Sequence, residues 1–251
     1  MAEVGRSPRR AGLLLLLLAA LAAWAVRSGR LAVPEAWNPW APLRIDAPPN
    51  LLTGLKLARA SGDREACRAA LAQADMRFVP LRDRATGPGC GFENAVRIAR
   101  TSVAVGEPFP LSCRAALSLA MWERHVLQRA AAEHLGARVR AIEHFGSYAC
   151  RNLYGDPGRR RSRHATADAL DVAAFVLEDG RRISVARHWR PRAPATERDA
   201  AAAPNVPAEA RFLRAVRDGA CRYFDVVLGP DYNRAHADHF HFDRGGARVC
   251  R

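Results

Sequence analysis

Six cysteines, Cys67, Cys90, Cys113, Cys150, Cys221 and Cys250, are spread along the chain, and none belongs to a C-x-x-C pair. An even number of well-separated cysteines points to disulfides formed in an oxidising compartment. Three bridges are therefore expected, although the sequence does not choose among the pairings. The opposing reading, six buried free thiols in a reducing compartment, conflicts with the N-terminus. Arg9 and Arg10 precede an apolar run over 11–26, and Arg27 and Arg30 follow it. A basic stretch before an apolar one is an export signal. As a helix that run would span about 24 Å, short of a hydrocarbon core of roughly 30 Å. It is either cleaved, with an A-x-A pattern at Ala20-Leu21-Ala22, or kept as a short anchor, which the placing of that pattern inside the apolar run favours. Both outcomes put the remainder outside the cytoplasm.

The 251 residues accommodate one sizeable domain plus an anchor. Lys and Arg together number 39 against 25 acids, a net charge of +14, and Lys56 is the only lysine. Such a surface suits nucleic acid, anionic lipid or an acidic polymer. There is no zinc-finger spacing and no aromatic-basic stripe, so no nucleic-acid partner is expected.

Five prolines and two tryptophans, Trp37 and Trp40, fall within 31–50. Proline at this density resists helix and central strand, so the segment reads as a linker close to a membrane or over the domain surface. The expected division is 1–30 signal peptide or signal anchor, 31–50 linker and 51–251 domain. Helices are expected over 64–75, over 112–135 with Ser112 as N-cap and Gly136 as stop, and over 207–219. Strands are expected at 96–99, 139–144, 170–177, 183–185, 224–228 and 239–242. Asp179-Gly180 between two β-prone runs marks a hairpin. The fold class expected is α+β, an antiparallel sheet flanked by helices and stabilised by disulfides.

Three of the eight histidines, His236, His239 and His241, stand within six positions. In a strand, side chains at i and i+2 share a face. His239 and His241 would point one way, with Phe240 and Phe242 turned into a core. Upstream, "SRHATADALDV" supplies Ser162, His164, Asp168 and Asp171, the last at the head of an apolar strand. A carboxylate beside Leu170 and Val172 needs a partner. Zinc accepts imidazole nitrogen and carboxylate oxygen, and a catalytic site keeps three protein ligands and an open position. His164, Asp171 and one histidine of the H-x-H would complete that set. The bland alternative gives each histidine separate work in the core or on the surface.

These residues carry a resemblance. S-x-H-x6-D followed by H-x-H resembles the lysostaphin, D-Ala-D-Ala metallopeptidase and Hedgehog-like zinc enzymes. "GSYACR", "SRHATADALDV", "LGPDYNRAHADHFHFD" and the terminal "CR" resemble more closely the bacterial extensin-like C-terminal domain family, over roughly 35–251. The resemblance implies zinc bound by His164, Asp171 and His241, on the sheet. It implies His239 as general base or oxyanion donor, with His236 also at the site. Asp238, three residues before His241, matches the offset of a dipeptidase glutamate but has the wrong strand parity and ranks below His239. Arg163 stands where many members carry glutamate, and Ala167 where the dipeptidases carry glycine. The run 158–163, "GRRRSR", is either a solvated basic loop or a clamp, through Arg161, Ser162 and Arg163, for substrate carboxylates.

The function implied is a zinc peptidase of the bacterial periplasm acting on peptidoglycan stem peptides. A D,D-endopeptidase that cuts cross-links comes first and a D,D-carboxypeptidase second. Its inner-membrane contact would be the N-terminal segment. The alternatives are a non-catalytic envelope or peptidoglycan-binding protein with a structural or vestigial metal site, and a polyanion-binding protein that uses its arginines.

Overall fold

The computed structural model describes residues 8–191, 206–246 and 248–251. The apolar run lies in helix α1 (Pro8–Arg27), whose leucines are exposed. No helix among the described residues is long and apolar enough to cross a membrane. The proline-rich segment lies over the domain. Leu43 and Ile45 enter the core, Asn50 donates to the Ala36 carbonyl, and the Lys56 ammonium donates to that of Glu35.

Helices α2 (Thr53–Gly62) and α3 (Arg64–Leu71) follow, with Asp63 capping α3 through the Ala66 amide. The helix expected over 64–75 stops at Leu71, where the chain tightens into turns and the Gln73 amide reaches back to the Leu43 carbonyl. Four short strands come next: β1 (Arg77–Pro80), β2 (Arg84–Gly87), β3 (Cys90–Phe92) and β4 (Ala95–Arg100); β5 (Phe109–Ser112) completes a β1-β4-β5 sheet. The helix expected over 112–135 forms as α4 (Cys113–Trp122), one π turn (Glu123–Leu127) and α5 (Gln128–Leu135). Ser112 caps it by accepting from the Ala115 amide, and Gly136 ends it at φ +64°. That left-handed conformation costs glycine least.

The principal sheet contains β6 (Val139–Gly146), β7 (Ala169–Leu177), β8 (Arg182–Ser184), β9 (Val226–Leu228), β10 (Phe240–Asp243) and β11 (Val249–Cys250). Its order is β11-β9-β10-β7-β6, with β8 also paired to β7. The pairs are antiparallel except β11, which runs parallel to β9. The expected hairpin joins β7 to β8 through Gly180 at φ +88°. A short helix α6 (Val185–His188) follows β8, and α7 (Ala208–Ala220) answers the helix expected over 207–219. Asn205, taken as the residue before that helix, lies outside the described residues.

Helices cover one face of this sheet. Trp122 of α4 packs edge-on against Phe242 and against Phe175, and its indole N–H donates to the Val216 carbonyl of α7. Phe175 meets Phe212 of α7. Gly219 of α7 abuts the π turn, where a Cβ would lie 2.3 Å from Val126 Cγ1. The β6–β7 register shifts three times. Across the second shift β7 advances two residues, Ala174 to Val172, while β6 advances one, Glu143 to His144. An extra residue of this kind reverses which side chains face the core. Phe175 and Leu177 are thus buried together with Leu170 and Val172, and Asp171 is left on the opposite face.

Three disulfides join Cys67 to Cys113, Cys90 to Cys150 and Cys221 to Cys250, and no cysteine is free among the described residues.

Candidate metal centre

Antiparallel pairing of β10 with β7 puts His241 directly opposite Asp171 and Phe240 opposite Val172. Cross-strand partners share a face. Phe240 and Phe242 are fully buried on the helical side, as strand parity requires, and His241 and Asp171 stand together on the other side. His164 arrives from the 3₁₀ turn Arg163–Thr166, just before β7. Ser162 starts that turn, its hydroxyl accepting from the His164 amide at 3.3 Å. Ala167 ends it at φ +53°. A left-handed conformation explains why glycine suits this position, and alanine occupies it with its methyl buried.

Ligand atoms of His164, Asp171 and His241 lie within 4.8 Å of one another, a group able to hold a metal ion. His164 Nε2 is 3.2 Å from His241 Nδ1 and 3.1 Å from Asp171 Oδ2, and His241 Nδ1 is 2.8 Å from Asp171 Oδ1. Three ligands bound tetrahedrally at about 2.0–2.1 Å stand roughly 3.3 Å apart, so the triangle fits zinc with little adjustment. The three residues are buried, none more than 9% exposed. Asp243 adds a fourth group. Its Oδ2 is 3.1 Å from His241 Nε2, while its buried Oδ1 has no partner. A carboxylate on the far nitrogen fixes the ring and makes the near one a better donor.

The electrostatics favour positive charge. Burial alone would raise the Asp171 carboxyl, but the bonds and charge of His164 and His241 hold it far below the ordinary carboxylate range. Burial alone would lower His241, but its bonds to Asp171 and Asp243 raise it to about 9. Two carboxylates that hold a proton so firmly also suit a divalent cation, which competes for the same lone pairs.

His239 precedes β10 and lies on the side of His241 and Asp171, its Nε2 3.6 Å from Asp171 Oδ1. Its Nδ1 is 2.8 Å from Asp238 Oδ1. Asp238 itself is exposed, as its parity requires, and touches the site only through that ring. His236, in the 3₁₀ turn Arg234–His236, has its ring tilted 5.3 Å from that of His239 and edge-on 5.8 Å from that of His241. Burial first, then the nearby His241 and His239, lower it to about 4. The sequence reading missed Asp243, although it continues the alternation His239-His241-Asp243.

Two basic residues expected at the substrate are engaged elsewhere. Arg161 donates to the Pro88 carbonyl and to Asn152, and the Arg163 guanidinium lies against Gly245. Asp168 turns away from the cluster and accepts a two-pronged bond from Arg114 at 2.7 and 2.5 Å.

Fold and site together define an α+β, disulfide-bridged domain that carries a His/Asp cluster on the open face of its main sheet. The chain belongs to the family described as Extensin-like protein C-terminus, which matches residues 65–251. Neither a curated protein nor a solved structure was found to match it.

Proposed function

We propose that the protein is a zinc-dependent hydrolase of peptidoglycan peptides, most specifically a D,D-endopeptidase that cuts stem-peptide cross-links. The observation that carries the reading is the triangle of His164, Asp171 and His241 beside a free-faced His239. Zinc held by those three would supply a Lewis acid that activates water and polarises the scissile carbonyl. Around it the chain's own groups divide the work. Asp238 accepts from Nδ1–H of His239 and leaves its Nε2 to take a proton from the attacking water or, once protonated, to face the developing oxyanion. His236 is neutral at pH 7 and adds a second imidazole to the same wall. Asp243 keeps the His241 ring in place. The export-type N-terminus and the disulfides support a periplasmic setting, with the N-terminal segment as the contact to the inner membrane.

The test is digestion of purified sacculi by the zinc-loaded chain, with His241→Ala alongside, read by mass spectrometry of the muropeptides. Loss of cross-linked dimers with the wild type alone supports the endopeptidase. Loss of terminal D-Ala would make it a carboxypeptidase. Intact sacculi in both samples would leave a binding protein whose metal site is structural, since His164, Asp171 and His241 also satisfy one another as hydrogen-bond partners.

A further inference from the structure

Among the described residues of 65–251, four large apolar side chains are exposed, Val79, Phe145, Tyr154 and Tyr232. The three aromatic ones gather at the histidine cluster. Phe145 is the residue that the third β6–β7 register shift, between His144 and Gly146, leaves over, and its ring meets His239 edge-on at 5.7 Å. Tyr232 meets His236 edge-on at 5.5 Å. Tyr154 is tied to the same place through Asn233, whose Nδ2 donates to the Tyr154 hydroxyl at 2.9 Å. Exposed aromatic rings around a polar centre supply broad apolar contact at little entropic cost, which is why they collect at binding sites.

Asn233 is used in an unusual way. It precedes the turn Arg234–His236, where an asparagine side chain ordinarily caps a backbone N–H. Here it caps none. Its Oδ1 instead faces His236 Nδ1 at 2.8 Å while its Nδ2 serves Tyr154. An amide with its nitrogen committed to the phenol offers only an acceptor to the ring, so the imidazole hydrogen sits on Nδ1 and the Nε2 lone pair is free. Tyr154 adopts φ +56°, ψ +17°. That conformation disfavours a non-glycine residue and persists where surrounding contacts over-determine it.

We propose that Asn233 is a positioning residue, one amide that holds His236 as the Nδ1–H tautomer and sets Tyr154, with Phe145 at His239 and Tyr232 at His236, as an aromatic wall for the peptide substrate. This deepens the peptidase reading and rests on it for the substrate, whereas the tautomer stands independently.

The experiment is long-range proton–nitrogen NMR of the imidazoles in the full zinc-loaded chain, paired with kinetics on a cross-linked muropeptide. Wild-type His236 should show hydrogen on Nδ1 alone. Asn233→Ala should lose that single-tautomer signature, keep its zinc and drop kcat roughly 10- to 100-fold through misplacement of the ring. Asn233→Asp, which keeps an acceptor for the ring, should retain the signature and guards against a folding defect in the alanine variant. Tyr154→Ala, which removes both the wall and the phenol that commits the Asn233 amide, should raise KM and weaken the single-tautomer signature. A wild-type His236 protonated on Nε2, or an Asn233→Ala variant unchanged in tautomer and kcat, would overturn the proposal. Intact substrate with the wild-type chain would sink the peptidase reading alone, because the spectra still decide the role of Asn233.

Discussion

His239 and His241 share one side of the sheet but do not share a role. His241 has Asp171 and His164 on one nitrogen and Asp243 on the other; His239 has Asp238 on one nitrogen and its other edge towards the site. His239→Ala should keep its zinc and lose turnover by about 100- to 10,000-fold, the usual worth of a positioned acid–base group. Asp238→Ala removes only the bond that orients His239, and should cost roughly tenfold. Zinc content and muropeptide cleavage measured on both variants check this. A zinc-free His239→Ala variant would exchange the two histidine roles, and a dead Asp238→Ala variant with zinc intact would move the base to Asp238. Asp243→Asn keeps the shape but weakens the support of the His241 ring. Zinc affinity in that variant should fall about 10- to 100-fold by competition with a chelating dye, and an unchanged affinity would remove Asp243 from the site.

At the scale of elements, the site is the product of one strand pairing, and the long helix beside it holds a second chemical anomaly. Glu123 opens the π turn, is 3% exposed, and accepts from the Ser102 amide and hydroxyl while its Oε1 finds no partner. Burial raises it to about 7, only partly offset by the bonds from Ser102. The folded state therefore holds a proton that the unfolded state releases near pH 4.5. Between those values stability falls as pH rises, by of order 3 kcal/mol in all. Denaturant midpoints of Glu123→Gln should be flatter from pH 4.5 to 7 than those of the wild type and higher at pH 8; parallel curves would contradict this. The π turn itself was not legible, because the 112–135 periodicity reads as continuous α-helix. The strands that form the site were legible, since β-branched runs and alternation mark β7 and β10. Strands β1, β2, β3 and β5 escaped because each is short and rich in Arg, Gly or Pro. The third β6–β7 register shift, which brings Phe145 to His239, depends on tertiary pairing that no local pattern encodes.

Over the whole molecule, Cys67–Cys113 joins α3 to α4, and the other two disulfides pin the chain where secondary structure is sparse. Cys90–Cys150 ties the β2-β3 hairpin to the loop before His164, and Cys221–Cys250 fastens the parallel strand β11 to the end of α7. The number of bridges was legible from the even count, but the pairing was not, for it follows the folded positions. Each bridge should contribute about 2–4 kcal/mol. Reduction should lower the unfolding midpoint sharply, and thiol titration of the denatured, unreduced chain should find no free thiol; two or more would contradict the bridges. The His/Asp cluster was legible because H-x6-D and H-x-H each fix a spacing that the β7–β10 pairing then superimposes, while the choice of His241 over His239 came from the family resemblance and not from spacing. The decisive measurement is elemental analysis of the full chain purified without chelator, beside its His164→Ala variant. One zinc per chain is expected in the wild type, and its loss in the variant. No metal in the wild type, or zinc retained undiminished in His164→Ala, would contradict it.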